Sequence, residues 1–306
     1  MTELAARFPL LRPMQRRLDT AAREMLAVPG RPAIDFTQPP GEPALVGPDS
    51  VSWRVFKNPV SLFIGGVTAV ILELAEPSVR TGVWEHSSFR SAPVPRLQRT
   101  GLAAMVTVYG PRSVAEAMIG GVVRMHGRVA GQTPAGEPYH ANDVGLLSWV
   151  QATASFGFVE AYHRYVHPLT PEELDRAHAE GAPAARLYGA LEAPASQAEL
   201  RAFFEAMRGR LEPSPIVLEF LAIMRRAPAL PGPARPAQGM LVRAAVEIVP
   251  GWVRERLGLT ERYGLRSWEA PVVRATARLA DQLMLPSSPA VQSCLRLGLP
   301  ADYLYS

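Results

Sequence analysis

The residue of this sequence best placed to do chemistry is His126, within the stretch GGVVRMHGRVAG at residues 120 to 131. Helical spacing puts three apolar residues on its face, one or two turns earlier: Ile119, Val122 and Val123. An imidazole pointing into such an apolar slot needs a partner for each ring nitrogen. His126 is therefore either a core histidine with satisfied nitrogens or a residue that holds a ligand.

The glycine pair before His126 bears on this choice. Gly120 and Gly121 are adjacent within the same predicted helix. Each glycine lowers helix stability by about 1 kcal/mol relative to alanine. A pair that is kept despite this cost usually allows the close approach of another helix or of a flat ligand. The pair adds modest weight to a ligand at His126.

A second group of polar residues opens the helix predicted from PRLQRTGLA. Arg96 and Thr100 are four residues apart and therefore share a helical face, with Arg99 beside them. The helix then turns apolar (GLAAMVTVY), so its first turn enters the core. There, an arginine and a hydroxyl would suit an anionic or oxygen ligand; the alternative is a solvated arginine cluster. Glu76 and Glu85 lie just upstream.

The remaining residues exclude several other kinds of site. We predict that His140, His163, His167 and His178 are solvated, since they lie in a turn, near helix ends or among charges. The sequence has no HExxH, no GxSxG and no glycine-rich phosphate loop. The single cysteine, Cys294, excludes an internal disulfide and a thiolate metal cage.

Apolar periodicity predicts an all-α fold without internal repeats. An amphipathic helix at residues 3–27 and a Pro/Gly-rich connector form an N-terminal unit, 1–50, ahead of a helical domain, 51–306. The uncharged run 58–72 is too short to span a bilayer, which needs about 20 residues, and predicts a buried core helix. Residues 131–143 are predicted as a turn-rich break.

Cap residues mark two helix starts, and one segment is ambiguous. Asp143 is placed to cap the long helix that follows it, and Thr170, with Glu173 three residues later, forms a capping box. The segment AVEIVPGWV is the only one that resembles a strand.

Charge and composition limit the partners and the location. The 306 residues carry a formal charge of +4, and the scattered arginines give no basic block, so a nucleic-acid partner is not expected. The first residues interleave charged and apolar side chains and lack the apolar core of a signal peptide, which predicts a cytoplasmic protein without a transmembrane segment. The helix at 3–27 could still contact a membrane surface.

Several motifs occur in an order typical of one family. They include EPSVRTGVWEHSSF, PRLQRT, VYGPRSVAEA and RMHGRVAGQTPAGEPYHANDVGLLSWVQAT. From about Leu45 to Leu187 the chain resembles the MpaB family of oxygenases, which also contains the rubber-cleaving latex clearing protein. The C-terminal third fits only as generic helices.

The resemblance implies a haem b in a globin-like helical core. It implies that His126 is the axial iron ligand, and that Arg96 and Thr100 lie on the distal side with Arg99 as a basic neighbour. An arginine offers a fixed fork of N–H donors, and a threonine hydroxyl can donate to bound dioxygen.

Two further positions follow from the resemblance. The distal glutamate of the family has no unambiguous counterpart, and both Glu76 and Glu85 are candidates. Members often have a histidine where this chain has Gln151. A glutamine cannot replace imidazole as a strong iron ligand, so Gln151 is predicted to lie near the cofactor or substrate.

The sequence therefore predicts a haem-dependent oxygenase that acts with dioxygen on a small hydrophobic substrate. The alternative is a non-catalytic all-α protein that binds a hydrophobic ligand, with His126 packed in the core. A third interpretation is an interfacial protein that uses the N-terminal helix.

Overall fold

Helices account for nearly all the regular structure of the computed structural model, which describes residues 12–28, 30, 33–230 and 232–305. The elements in chain order are α1 (Arg12–Leu26), α2 (Val51–Phe56), α3 (Pro59–Glu73), α4 (Pro77–His86), α5 (Pro93–Tyr109), α6 (Arg112–His126), β1 (Ala130–Gln132), β2 (Pro138–His140), α7 (Val144–Tyr165), α8 (Pro171–Glu180), α9 (Ala182–Tyr188), α10 (Gln197–Met207), α11 (Pro215–Arg226), α12 (Arg235–Ile248), α13 (Gly251–Arg256), α14 (Glu269–Asp281) and α15 (Pro289–Arg296). The all-α prediction is confirmed.

The centre of the fold is the crossing of α3 and α7, the two most apolar long helices. Their backbones touch at a pair of glycines: a Cβ on Gly65 would lie 2.7 Å from both the Gly157 carbonyl oxygen and the Phe158 Cα. The Trp149 indole donates to the Leu72 carbonyl at 3.3 Å, and the Thr68 hydroxyl contacts the Ala245 carbonyl of α12 at 3.0 Å. The buried core helix predicted at 58–72 is confirmed as α3.

We expect Gly65→Ala to destabilise the protein by about 1–3 kcal/mol, because the added methyl group meets backbone atoms that can move only if the helices separate. Gly66→Ala is the matched control, since its Cβ would meet only the Phe158 ring edge at 3.8 Å. That control should be neutral or more stable by up to about 1 kcal/mol, from helix propensity. Urea unfolding measures both; equal stability of the two variants would contradict this account of the crossing.

A second core lies beside the first and fixes the connector and the chain end. The Trp53 and Tyr109 rings pack edge to face, with centroids 5.0 Å apart. The buried Arg296 guanidinium donates to the carbonyls of Phe36 and Tyr109, at 2.8 and 2.7 Å, and its Nε donates to that of Glu42. The described part of the connector has no helix or strand, as its prolines and glycines predict.

The predicted helix caps are confirmed. An Asp143 carboxylate oxygen accepts from the backbone N–H groups of Gly145 and Leu146, at 2.9 and 3.2 Å. The Thr170 hydroxyl accepts from the Glu173 N–H at 3.2 Å, while the Glu173 carboxylate accepts from the Thr170 N–H at 2.9 Å. These caps fix where α7, a helix of the central crossing, and α8 begin.

Three local predictions need correction. The break predicted at 131–143 contains an antiparallel hairpin, with Gly131 opposite Tyr139; its three-residue strands are too short for an alternation to show. The segment AVEIVPGWV is helical, the end of α12 and the start of α13, interrupted at Pro250. His178 is 5% exposed and not solvated, since its Nδ1 lies 2.7 Å from the Ser155 hydroxyl on α7.

The N-terminal helix is seen in part, and membrane-spanning helices are not found in the described ranges. Of the helix predicted at 3–27, α1 covers Arg12–Leu26, and residues 1–11 lie outside the described residues. Only α3 and α4 taken together have the length and apolar composition to cross a bilayer, and they are bent by 112° at the break between them.

Candidate active site

His126 is the last residue of α6, immediately before the hairpin. Its side chain is half-buried, and its Nδ1 is fully buried without a hydrogen-bond partner among the described residues. Burial lowers the pKa of His126, and the positive charge of Arg96 lowers it further. The imidazole is therefore neutral at neutral pH, which is the form that binds a metal ion.

Arg96 lies in the first turn of α5 and faces inward. Its guanidinium is half-buried and makes neither a hydrogen bond nor a direct ion pair with any residue that the structure describes. Burial lowers the pKa of Arg96, the negative charge of Glu73 opposes this, and Arg99 adds to the lowering. The five N–H donors of Arg96 are thus held near His126 without a protein acceptor.

The third member of the site is Glu73, which the sequence analysis did not single out. Glu73 ends α3, immediately before the sharp bend into α4. Protein atoms surround its carboxyl group, although part of the side chain stays accessible. Burial raises the pKa of Glu73 to about 7, opposed by the charge of Arg96. In the sequence, Glu73 is marked only as the carboxylate that ends a fifteen-residue apolar helix, which is an ordinary way for such a helix to end.

Two unpartnered polar atoms, on His126 and Asn142, lie at the C-terminal end of α6. Of the four such buried side-chain atoms among the described residues, three belong to His126, Tyr139 and Asn142, and the fourth to Arg254. The Asn142 Nδ2 donates to the Val123 carbonyl at 3.0 Å, which leaves its Oδ1 free beside α6. An unpaired buried polar atom costs about 1–3 kcal/mol, so this group is suited to a ligand that offers polar contacts.

The glycine pair on α6 faces open space. A Cβ on Gly120 would meet only the Arg124 Nη1, at 3.3 Å, and one on Gly121 only the Arg124 Nη2, at 3.8 Å. No other described helix approaches the pair, so the close helix contact considered for it is not found. Gly101, on α5, has nothing within 4 Å of a built Cβ either. Gly120 and Gly121 precede His126 by six and five residues, and Gly101 follows Arg96 by five, so this space lies on helix faces turned away from both side chains.

The other two residues of the Arg96 cluster have more exposed positions. The Thr100 hydroxyl donates back to the Arg96 carbonyl at 3.0 Å, within α5. The Arg99 Nη2 donates to the Ser88 hydroxyl at 2.8 Å, which ties α5 to the preceding loop. Of the three, only Arg96 has a charge that changes the pKa of both His126 and Glu73.

Comparison with known proteins identifies the family. The model of the family "ER-bound oxygenase mpaB/B'/Rubber oxygenase, catalytic domain" matches residues 53–282. The chain belongs to this family. It is an oxygenase, and hence an oxidoreductase. No curated protein and no solved structure matches the chain.

The family match extends further than the motifs did. It continues past Leu187 to the end of α14, so the C-terminal helices that resembled only generic ones belong to the mpaB/rubber oxygenase domain. Physically, α12 and α14 pack on the central crossing: Asn58 Nδ2 donates to the Ala277 carbonyl at 2.9 Å, beside the Thr68 contact to α12. Their sequences lack chemical motifs because they supply packing.

Both glutamates proposed for the distal side lie apart from Arg96. Glu76 is 1% exposed and caps α4: its carboxylate accepts from the Val79 N–H and from the Arg210 Nη2, both at 2.7 Å. Glu85 is exposed and lies near Tyr139. Burial raises the pKa of Tyr139, and the negative charge of Glu85 raises it further. Since neither interacts with Arg96, the geometry of this mpaB/rubber oxygenase domain favours Glu73.

The remaining candidates are placed as follows. The Gln151 Nε2 lies against Gly181, 3.3 Å from a Cβ built there, at the junction of α8 and α9. His86 is exposed at the end of α4, and the His163 Nδ1 accepts from the Leu169 N–H at 2.9 Å. The described residues hold no cluster of three or more metal-ligating side chains.

The raised pKa of Glu73 predicts a pH-dependent stability. Its folded-state pKa of about 7 lies above the ordinary value of 4.5, so the protein gains stability from this group below pH 4.5 and loses it as pH rises through 7. We expect Glu73→Gln to be more stable than the parent at pH 8, by up to about 3 kcal/mol, and nearly equal at pH 4.5.

Denaturant titrations of the cofactor-free protein across pH 4.5–8.5 measure this difference. Glu116→Gln, at an exposed position on α6, is the matched control and should follow the parent at every pH. A constant offset between Glu73→Gln and the parent at all pH values would show that Glu73 does not titrate in this range.

Proposed function

We propose that this oxygenase binds haem b through His126 and oxidises a small hydrophobic substrate with dioxygen. The observation that carries the proposal is the half-buried, neutral His126, whose buried Nδ1 has no partner among the described residues and whose pKa is lowered by the nearby charge of Arg96. A haem would need only one nitrogen ligand from the protein, which His126 would supply, whereas a metal ion held only by protein side chains would need more ligands than the described residues offer.

Each residue of the site has a separate task in this proposal. A bound haem supplies the redox chemistry with dioxygen. In its neutral form, the His126 imidazole would hold the iron through a ring nitrogen.

Arg96 and Glu73 provide the polar side of the site. The Arg96 guanidinium can hold a haem propionate or donate to an oxygen atom, because no protein acceptor among the described residues engages it. Glu73, with a pKa of about 7, can release or take up a proton at physiological pH. Glu73 thus takes the place for which Glu76 and Glu85 were considered. The Thr100 hydroxyl could donate to a ligand only if its hydrogen bond to the Arg96 carbonyl were broken.

Membership of an oxygenase family favours this catalytic interpretation over a non-catalytic binder of hydrophobic ligands. The absorption spectrum of freshly purified protein, expressed with a haem precursor, tests it. We expect a Soret band and a haem content that approaches one per chain. Protein that contains neither haem nor iron, and that gains no Soret band when titrated with haemin, would overturn the proposal.

A further inference from the structure

A second site lies away from His126, where α7, α12 and α14 meet. It is a cavity of about 140 Å³, lined by Arg164, Tyr165, Glu247, Leu265, Arg266, Ser267, Ala270 and Arg274. None of the candidate oxygenase residues lines it. The share of one water molecule in the liquid is about 30 Å³, so the cavity has room for a small polyatomic ion and is well below the size of most organic-ligand pockets.

The charges that line this cavity are unbalanced. Three of its residues are arginines, and Glu247 is its only carboxylate. That carboxylate is already shared, at 3.8 Å from Arg164 and 3.4 Å from Arg254, which lies outside the cavity. The guanidiniums of Arg266 and Arg274 make no ion pair or hydrogen bond within the described part of the chain. Both residues are exposed, and the charge of Arg266 also acts on the Glu269 carboxylate, which Arg243 already binds, so the cavity keeps an excess of positive charge.

The donors of the cavity determine the class of ligand. The Tyr165 hydroxyl donates to the Ala244 carbonyl at 3.2 Å and is not available to a ligand. The donors that remain are the guanidiniums and the Ser267 hydroxyl. Arginine forks pair with the oxygens of phosphate two at a time, and an anion of this kind matches the excess positive charge of the cavity. We propose that this cavity binds a phosphate group, in addition to the proposed function of the His126 site.

The surface around the cavity leaves two sources for the phosphate. Trp268 and Val272, each two residues in sequence from the cavity-lining Ala270, are 56% and 41% exposed. A phospholipid headgroup would place its phosphate in the cavity and these apolar side chains at the membrane interface, where tryptophan is favoured. A free phosphate ester would use the arginines alone. The chemistry recognised is the same, and the test separates the two.

The test begins with inorganic phosphate and the full-length chain. We expect a saturable rise in the melting temperature with phosphate, beyond that given by chloride at equal ionic strength. Arg266→Gln/Arg274→Gln should bind at least about tenfold more weakly, since two charge-assisted contacts are lost. Arg186→Gln/Arg201→Gln, with the same charge change at two exposed positions, is the control and should keep the parent affinity.

Vesicles distinguish the sources. Co-sedimentation with phosphatidylcholine vesicles containing phosphatidic acid, lost in both Arg266→Gln/Arg274→Gln and Trp268→Ser, would assign the site to a lipid headgroup. Saturable phosphate binding without co-sedimentation would assign it to a soluble phosphate. If phosphate acts no differently from chloride and no vesicle binding depends on Arg266 and Arg274, the proposal is overturned. Far-ultraviolet circular dichroism confirms that each variant is folded, and Arg266→Lys/Arg274→Lys replaces any that is not.

Discussion

His126→Ala should be purified without a Soret band, as a folded protein that no longer retains haem. The imidazole is the only side chain of the candidate site that offers a neutral nitrogen ligand, and the described residues contain no cluster to take its place. Even residues that only orient a metal ligand are worth roughly 10–100-fold in affinity, so we expect the loss of the ligand itself to weaken haemin binding by more than about 100-fold. Haemin titration followed by absorbance measures it.

The controls separate ligation from folding. His167→Ala, at an exposed position after α7, should bind haem as the parent does. Addition of imidazole to His126→Gly should restore part of the Soret band, which a purely structural role of His126 would not allow. Full haem occupancy in His126→Ala would remove the assignment and make His86, exposed at the end of α4, the next candidate.

Much of the fold could be predicted from the sequence because its determinants are local. The cap at Asp143 and the capping box at Thr170 depend on side chains within three residues of the backbone groups that they bind. The uncharged run of α3 shows its burial directly. The burial of His178 against Ser155 depends on residues brought together by tertiary packing, and no sequence pattern records that contact. The hairpin at 130–140 is local, but its three-residue strands are too short to show an alternation.

The site was predictable in part for the same reason. His126 and Arg96 stand out because each is a polar residue beside an apolar helical face, which the spacing records. Glu73 was missed because its importance depends on the charge of Arg96, which lies twenty-three residues later in the sequence, and a charged residue that ends an apolar helix is ordinary. The two glutamates considered instead lie nearer to Arg96 in the sequence but are placed elsewhere by the bend after α3.

Arg96→Ala should retain haem but lose most of its turnover. Its guanidinium is the only cation whose charge acts on both His126 and Glu73, and it has no protein acceptor among the described residues. Removal of one preorganised donor from a catalytic site typically costs about 10²–10³ in rate, and we expect a loss of that size in kcat with a nearly unchanged Soret band. Oxygen uptake with an accepted hydrophobic substrate measures it.

The pH profile shows whether Arg96 acts through Glu73. The charge of Arg96 lowers the pKa of Glu73, which stands at about 7, so its removal stabilises the protonated acid and moves the ionisation of Glu73 to higher pH. The residual activity of Arg96→Ala should therefore depend on pH over a more alkaline range than that of the parent. Arg96→Lys keeps the charge without the planar fork, and should preserve the parent profile while recovering only part of the rate.

Arg112→Ala, which removes an exposed arginine at the start of α6, is the charge-matched control and should match the parent in both rate and profile. Parent-like turnover in Arg96→Ala would make Arg96 an ordinary half-buried residue, and a lower rate with an unshifted profile would separate its role from the ionisation of Glu73.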